Sequence, residues 1–273
     1  MDLRKRTNDD VVRRTETALG LSVDPATEIR KRRSLGFRTD RGTWVRIEVC
    51  PLERLNLRGG SGVELAASIS GIAMPQWFQG VSWLDETRTL MWRADETEFV
   101  KEPAIKPGGT LTVDPNLSES WWDTFNTSLD SLMEHQTLRI ATPTLLPMTQ
   151  ARFTSAIHSV FSNVETTVDE WATAHGDLGW ANLTAPHCYF LDWEDWGIAP
   201  RGFDAAYLIG ASLAVPVLAD RVYRERKADL ESRSGRLSLL YICAGFIEAP
   251  DWSGRLLEPA KELAGRVISD LGR

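Results

Sequence analysis

The sequence predicts an α+β protein of two lobes, a small antiparallel-sheet lobe over residues 1–94 and a larger, mainly helical lobe over residues 95–273. Three observations carry that prediction. Apolar residues recur at every second position through much of residues 33–93 and at helical spacing beyond Ser118, so strands give way to helices. The stretch between, EPAIKPGGTLTVDP, follows neither period and is rich in Pro and Gly, which marks a connector. The composition, 42% hydrophobic and 25% charged over 273 residues, excludes disorder, collagen and coiled coil as readings of the whole chain.

Each element follows from its local pattern. Residues 1–20 read as a polar leader and a helix whose thin apolar side is Val11, Val12 and Leu19. RSLGFRTD and TWVRIEV flank the turn chemistry of Asp40-Arg41-Gly42 and form a β-hairpin. In its second strand Val45, Ile47 and Val49 share one face, Trp44, Arg46 and Glu48 share the other, and Pro51 closes the strand. RLNLRGG is a glycine-bearing loop, and Ser61-Gly62-Val63-Glu64 has capping-box spacing that opens a short helix through Ile69. QWFQGVSWL and RTLMWRA are two more strands joined at Asp85-Glu86, giving four or five strands in all.

In the second lobe Trp121, Phe125, Leu129, Leu132 and Met133 predict a helix behind a Ser118 or Ser120 cap. Phe153, Ile157, Val160, Phe161, Val164, Val168 and Trp171 predict a longer one, ending at AHGDLGWANL. A further helical stretch covers 203–226 with a break near Pro216, another covers 237–247, and the last carries Leu256, Leu257, Leu263, Val267 and Leu271. Eleven tryptophans fall mostly in apolar patterns that bury them.

No run approaches the ~20 apolar residues of a membrane span, and MDLRKRTNDD lacks a signal peptide's apolar region. A cytoplasmic protein without a membrane partner is expected. Cys50, Cys188 and Cys243 are scattered and odd in number, so neither a disulfide framework nor a zinc site is indicated. The net charge of −7 is uneven: residues 1–46 hold 12 Lys/Arg against 7 Asp/Glu, and the remainder 19 against 31. The basic run Arg30-Lys31-Arg32-Arg33 leads into a strand with no interleaved aromatics, which favours a solvated or phosphate-facing surface over a nucleic-acid arm.

The chemistry concentrates in residues 174–208. Asp177 follows His175-Gly176, Asn182 lies five residues on, and Asp192 ten beyond that. Between Asn182 and Asp192 the segment ANLTAPHCYFLDW has the shape of a hairpin with its turn at Pro186, so its two ends converge beside Asp177. An Asp and an Asn are hard oxygen donors suited to Mg²⁺ on phosphate oxygens. A second carboxylate nearby can accept or orient a hydroxyl proton. Phosphoryl transfer asks for that combination, since it rests on positioning and charge neutralisation.

In this order His175-Gly176-Asp177-Leu178, Asn182, Leu191-Asp192-Trp193-Glu194, Gly197, Pro200 and Asp204 resemble the aminoglycoside phosphotransferase group of the protein-kinase-like superfamily. That group's pattern is H-G-D-L-x-x-x-N, then a hairpin ending in [I/L]-D-W-E, then a small-residue loop with Pro and Asp entering a helix. The resemblance implies a bilobal protein-kinase-like fold that uses ATP, or another nucleoside triphosphate, with Mg²⁺. It implies Asp177 as catalytic base, His175 and Asp204 bracing the catalytic loop, and Asn182 and Asp192 as metal ligands. Glu194 is either a third acidic ligand or a salt-bridge partner. Asp195 is expected to be solvated, His187 to lie on the surface, and Cys188 to be buried.

The first lobe follows the group by strand order only. Kinase-like folds set a strand lysine on the nucleotide phosphates and a helix glutamate against it. The matching strand is VRIEV, so Arg46 stands at the lysine position with Glu64, also the capping-box residue, as its partner. These two are the expected nucleotide-binding residues. No G-x-G-x-x-G precedes the hairpin, and the nucleotide is expected between the lobes near residues 92–99.

The acceptor is open at this stage. One reading is a small-molecule hydroxyl, such as that of an antibiotic or amino sugar. A second is Ser/Thr of a precursor peptide in a natural-product pathway, with a partner lyase. A third is a non-catalytic kinase-like scaffold, against which intact Asp177, Asn182 and Asp192 count. The acidic residues Glu225, Asp229, Glu231, Glu248, Asp251 and Glu258 fit either a cationic acceptor or a charged outer helical face.

Overall fold

Alternation sets the first sheet. In the computed structural model, which describes residues 2–53 and 62–272, Val45, Ile47 and Val49 of β3 (Trp44–Pro51) are buried on one face. Strands β1 (Val23–Arg30), β2 (Ser34–Thr39), β4 (Trp77–Leu84) and β5 (Leu90–Thr97) complete a five-stranded antiparallel sheet in the order β1-β2-β3-β5-β4. Helix α1 (Asp9–Leu19) lays Val11 and Leu19 into the same core as Leu35, Phe37, Trp83, Trp92 and Ala94. Its Gly20 cap has φ 65, a left-handed conformation that glycine adopts without a Cβ clash.

Strand β1 has no counterpart in the sequence reading. It is an edge strand with almost every side chain in solvent and an irregularity between Asp24 and Ile29, so no burial period was imposed on its sequence. The short helix α2 (Gly62–Ala66) stops before Ile69. The loop RLNLRGG and the Ser61 cap lie outside the described residues.

The chain divides into two compact units, Met1–Ser68 with Met74–Lys101, and Ile69–Ala73 with Glu102–Arg273. β5 runs past residue 94 to Thr97, so the first unit reaches further along the chain than the period change indicated.

In the second unit Ser118 caps α3 (Glu119–Glu134), its hydroxyl accepting the Trp121 N–H at 3.2 Å. Trp121, Trp122, Phe125, Leu129 and Leu132 are buried behind that cap. The helix expected to run to Trp171 is shorter, α4 (Gln150–His158). After it the chain folds back: the Gln150 amide donates to the Thr166 carbonyl at 2.8 Å and accepts the Val168 N–H at 3.0 Å. Those side-chain bonds replace helical ones, and Trp171–Ala174 is instead strand β6, paired with β7 (Gly197–Pro200). The remaining helices are α5 (Phe203–Ser212), α6 (Pro216–Glu225), α7 (Lys227–Leu230), α8 (Arg233–Glu248), α9 (Pro250–Ser253) and α10 (Leu257–Leu271). Pro216 opens α6, the predicted break. Among the described residues no helix is long and apolar enough to cross a membrane.

Candidate active site

Strand β6 delivers the segment His175-Gly176-Asp177, and the first turn of α5 holds it. The buried Asp204 carboxylate accepts the His175 N–H at 2.6 Å and the Gly176 N–H at 2.9 Å. Burial raises the Asp204 pKa to about 6, against the pull of those two amides. Gly176 has φ 84, and a Cβ there would stand 2.6 Å from the Asp195 carbonyl, so only glycine permits this approach. The His175 ring is fully buried, donates from Nε2 to the Leu191 carbonyl at 2.9 Å, and meets the Trp193 ring edge-on at 4.7 Å between centroids. Burial pushes its pKa down to about 4, so the imidazole is neutral. His175 is thus a brace that ties Asp177's segment to the one carrying Asp192; its burial keeps it from serving as an acid or base at the surface.

The hairpin forms in outline. Leu183 bridges Phe190, the Thr184 N–H reaches the Tyr189 carbonyl at 3.3 Å, and the Leu191 N–H reaches the Asn182 carbonyl at 2.9 Å. The turn contains a cis Ala185–Pro186 bond. The Asn182 amide then donates to the Asp177 carbonyl at 2.7 Å and to Asp177 Oδ2 at 3.1 Å. Burial is the main cause that raises the Asp177 pKa, to about 6; the charges of Asp192 and Asp195 add to it, while the nearby Tyr207 hydroxyl and the Asn182 amide oppose it. Asp192 has φ 68, a left-handed conformation uncommon for a non-glycine residue. Asp177, Asn182, Asp192 and Asp195 therefore gather at one place.

Asp195 departs from expectation. It is half-buried, its Oδ1 accepts the Thr142 hydroxyl at 2.6 Å, and its carbonyl accepts the Thr142 N–H at 2.9 Å, because the segment through Ala141 runs beside β7. The Glu194 carbonyl accepts from Arg139 at 2.5 Å. His187 is exposed at the turn beside Glu102, at 2.9 Å. Cys188 is buried, which pushes its thiol up to about 12 and leaves it inert as a nucleophile. Trp121, Trp122, Trp180, Trp193 and Trp196 are all buried in the core.

In the first unit the expected Arg46–Glu64 pair is not the one formed. Arg46 pairs with its strand neighbour Glu48, while Glu64 takes Arg93 at 3.0 Å. Register explains the exchange: Asp95 lies opposite Arg46, and Arg93 opposite Glu48, so both arginines share one sheet face with Glu48 and Asp95. Arg93 is held on Asp95 through Nε at 2.9 Å and Nη2 at 2.5 Å, and it lies across Gly80, where a Cβ would clash with Nη2. The alternation of RTLMWRA could have flagged Arg93.

The acidic residues proposed for a cationic acceptor are largely neutralised. Glu225 pairs with Arg221, Asp229 with Arg226 and Arg201, and Glu258 with Lys261. Their charge belongs to helix–helix packing and outer faces, and gives no evidence about the acceptor.

No protein-family model and no curated protein sequence matches the chain. Solved structures do match over its length. Amicoumacin kinase hAmiN, in complex with AMP-PNP, Ca²⁺ and Ami, has a TM-score of 0.56 at 11% identity, covering 96% of this chain and 95% of that one. A choline/ethanolamine kinase family protein from Mesorhizobium loti has 0.53 at 14%, covering 97% and 98%. Choline kinase LicA from Streptococcus pneumoniae has 0.51 at 12%, covering 96% and 98%. The fold is the protein-kinase-like fold of these enzymes, α+β with a five-stranded antiparallel sheet and a helical remainder.

Proposed function

We propose that the chain is an ATP-dependent O-phosphotransferase whose acceptor is a hydroxyl of a small molecule. The observation that carries the reading is the gathering of Asp177, Asn182, Asp192 and Asp195 on a segment braced by His175 and Asp204. The shared fold with amicoumacin and choline kinases supports a small-molecule acceptor over a peptide.

The donor set fits a divalent cation. Asn182 spends its N–H groups on Asp177, which leaves its amide oxygen as a ligand, and neighbouring carboxylates repel one another until a cation joins them. Among the described residues no three His, Cys, Asp or Glu side chains form a complete metal cage, so such an ion would take its other oxygens from phosphates, as Mg²⁺ commonly does. Asn182 and Asp192 would hold it, and it would supply charge neutralisation for the triphosphate.

Asp177 acts on the acceptor. The acceptor oxygen forms a bond to the γ-phosphorus while its proton passes to the Asp177 carboxylate. The bond from that phosphorus to the β–γ bridging oxygen breaks, and ADP leaves. The test is ADP release from Mg·ATP across a panel of amino sugars, choline-like alcohols and hydroxylated antibiotics. Asp177→Asn should lower turnover of the positive acceptor by about 10²–10⁴-fold, with Mg-nucleotide binding retained. Wild-type turnover in Asp177→Asn would falsify the assignment.

A further inference from the structure

Asp192 sits between two anchored stretches of chain. On its upstream side the Leu191 carbonyl accepts from buried His175 at 2.9 Å, and the Leu191 N–H donates to the Asn182 carbonyl at 2.9 Å. Downstream, residues 139–142 hold the turn that leads into β7. The half-buried Arg139 guanidinium donates through Nε to the Trp196 carbonyl at 2.6 Å and through Nη2 to the Glu194 carbonyl at 2.5 Å. Its central carbon lies 5.4 Å from the centre of the Trp196 ring. Thr142 takes the residue between: its N–H donates to the Asp195 carbonyl at 2.9 Å, and its hydroxyl to Asp195 Oδ1 at 2.6 Å. The Ile198 N–H donates to the Arg139 carbonyl at 2.7 Å, and the Ala141 N–H to the Ile198 carbonyl at 3.1 Å. Gly197 permits this approach, since a Cβ there would meet the Ala141 nitrogen at 2.5 Å.

Asp192 itself has φ 68, a left-handed conformation that persists where the flanking structure fixes it. The upstream anchor fixes one end of that turn. With the other end released, Asp192 would relax to right-handed or extended backbone and carry its carboxylate away from Asn182. We propose that Arg139 is a positioning residue for the metal site: by gripping the Glu194 and Trp196 carbonyls together, it fixes the backbone that presents Asp192 to Mg²⁺. The proposal rests on the reading of Asn182 and Asp192 as ligands. The grip needs an arginine. One planar fork meets two carbonyls on residues two apart while its face lies against an indole, and a lysine ammonium is a point charge without that shape.

The experiment uses the full chain, with AMP-PNP as the binding probe, titrated across Mg²⁺ concentrations and in EDTA. Arg139→Met should raise the Mg²⁺ concentration at the midpoint of the binding response about tenfold to a hundredfold, the range for a group that orients a metal ligand. The Kd for AMP-PNP in EDTA should stay at the wild-type value, and ATP hydrolysis lost at low Mg²⁺ should recover as Mg²⁺ is raised. Arg139→Lys, the milder change, keeps the charge and should show most of the same loss. In an Asp192→Ala background Arg139→Met should cause no further change in the Mg²⁺ response, because it acts only through that carboxylate. An unchanged Mg²⁺ midpoint in Arg139→Met, a wild-type midpoint in Arg139→Lys, an equal loss with and without Asp192, or a failure of both variants to fold overturns the proposal and leaves the phosphotransferase reading standing. A wild-type protein whose AMP-PNP affinity ignores Mg²⁺ overturns the ligand assignment as well.

Discussion

A neutral imidazole at position 175 has a measurable cost in acid. Burial holds the folded-state pKa near about 4, below the ordinary 6.5, so the unfolded chain binds the proton first as pH falls. The stabilisation is complete above about pH 6.5 and is lost progressively down to about pH 4, on the order of 3 kcal/mol. His175→Gln can still donate to the Leu191 carbonyl but cannot protonate, so its urea-unfolding stability should fall less than wild type between pH 7 and pH 4.5. Parallel losses would remove His175 from the acid response. At this scale the sequence was most legible where residues act through short chain distances. Asp177 and Asn182 lie five residues apart, and the Asn182 amide joins them. Arg93 was missed because its partners are set by sheet register.

Between elements, two ion-pair sites of different burial should respond differently to substitution. Arg226 and Asp229 are both nearly inaccessible, and Arg226 also reaches Asp130 at 2.8 Å, tying the α6–α7 corner to α3. Asp229→Ala leaves a buried guanidinium short of its counter-charge and should cost about 3–5 kcal/mol. Arg221 bridges Glu119 and Glu225 at 2.6 Å each, but Glu119 is largely exposed. Arg221→Ala should cost under about 1 kcal/mol. Denaturant titration of the two variants checks the contrast, and equal losses would contradict the burial argument. Helices α3, α5, α6, α8 and α10 were legible from apolar spacing and caps, and β2–β5 from alternation. The overlong helix arose because Val160, Phe161 and Val164 keep helical spacing while the Gln150 side chain draws the chain back. Edge strand β1 left no trace because solvent imposes no period.

For the molecule as a whole, nucleotide binding should appear as metal-dependent thermal stability. At a hundredfold excess over Kd a ligand that binds only the folded state contributes about 2.7 kcal/mol. Mg·AMP-PNP should therefore raise Tm by several degrees, and AMP-PNP with EDTA by much less. Asp192→Ala should lose the metal-dependent part. Equal shifts with and without Mg²⁺ would count against Asn182 and Asp192 as ligands. The change of period across the connector gave the expectation of two lobes, but one excursion carries no sequence signal: Ile69–Ala73 belong to the second unit although the residues on either side belong to the first. There the Ala73 carbonyl accepts the N–H of buried Phe190 at 2.7 Å, two residues before Asp192, and the Ala73 N–H donates to Ser128 at 3.0 Å. A gene severed between Lys101 and Glu102 would express a C-terminal fragment with that amide stripped of its acceptor. Recombination could graft a new sheet unit onto this chemistry only by joining the chains at two seams on either side of Ile69–Ala73, as well as at the connector.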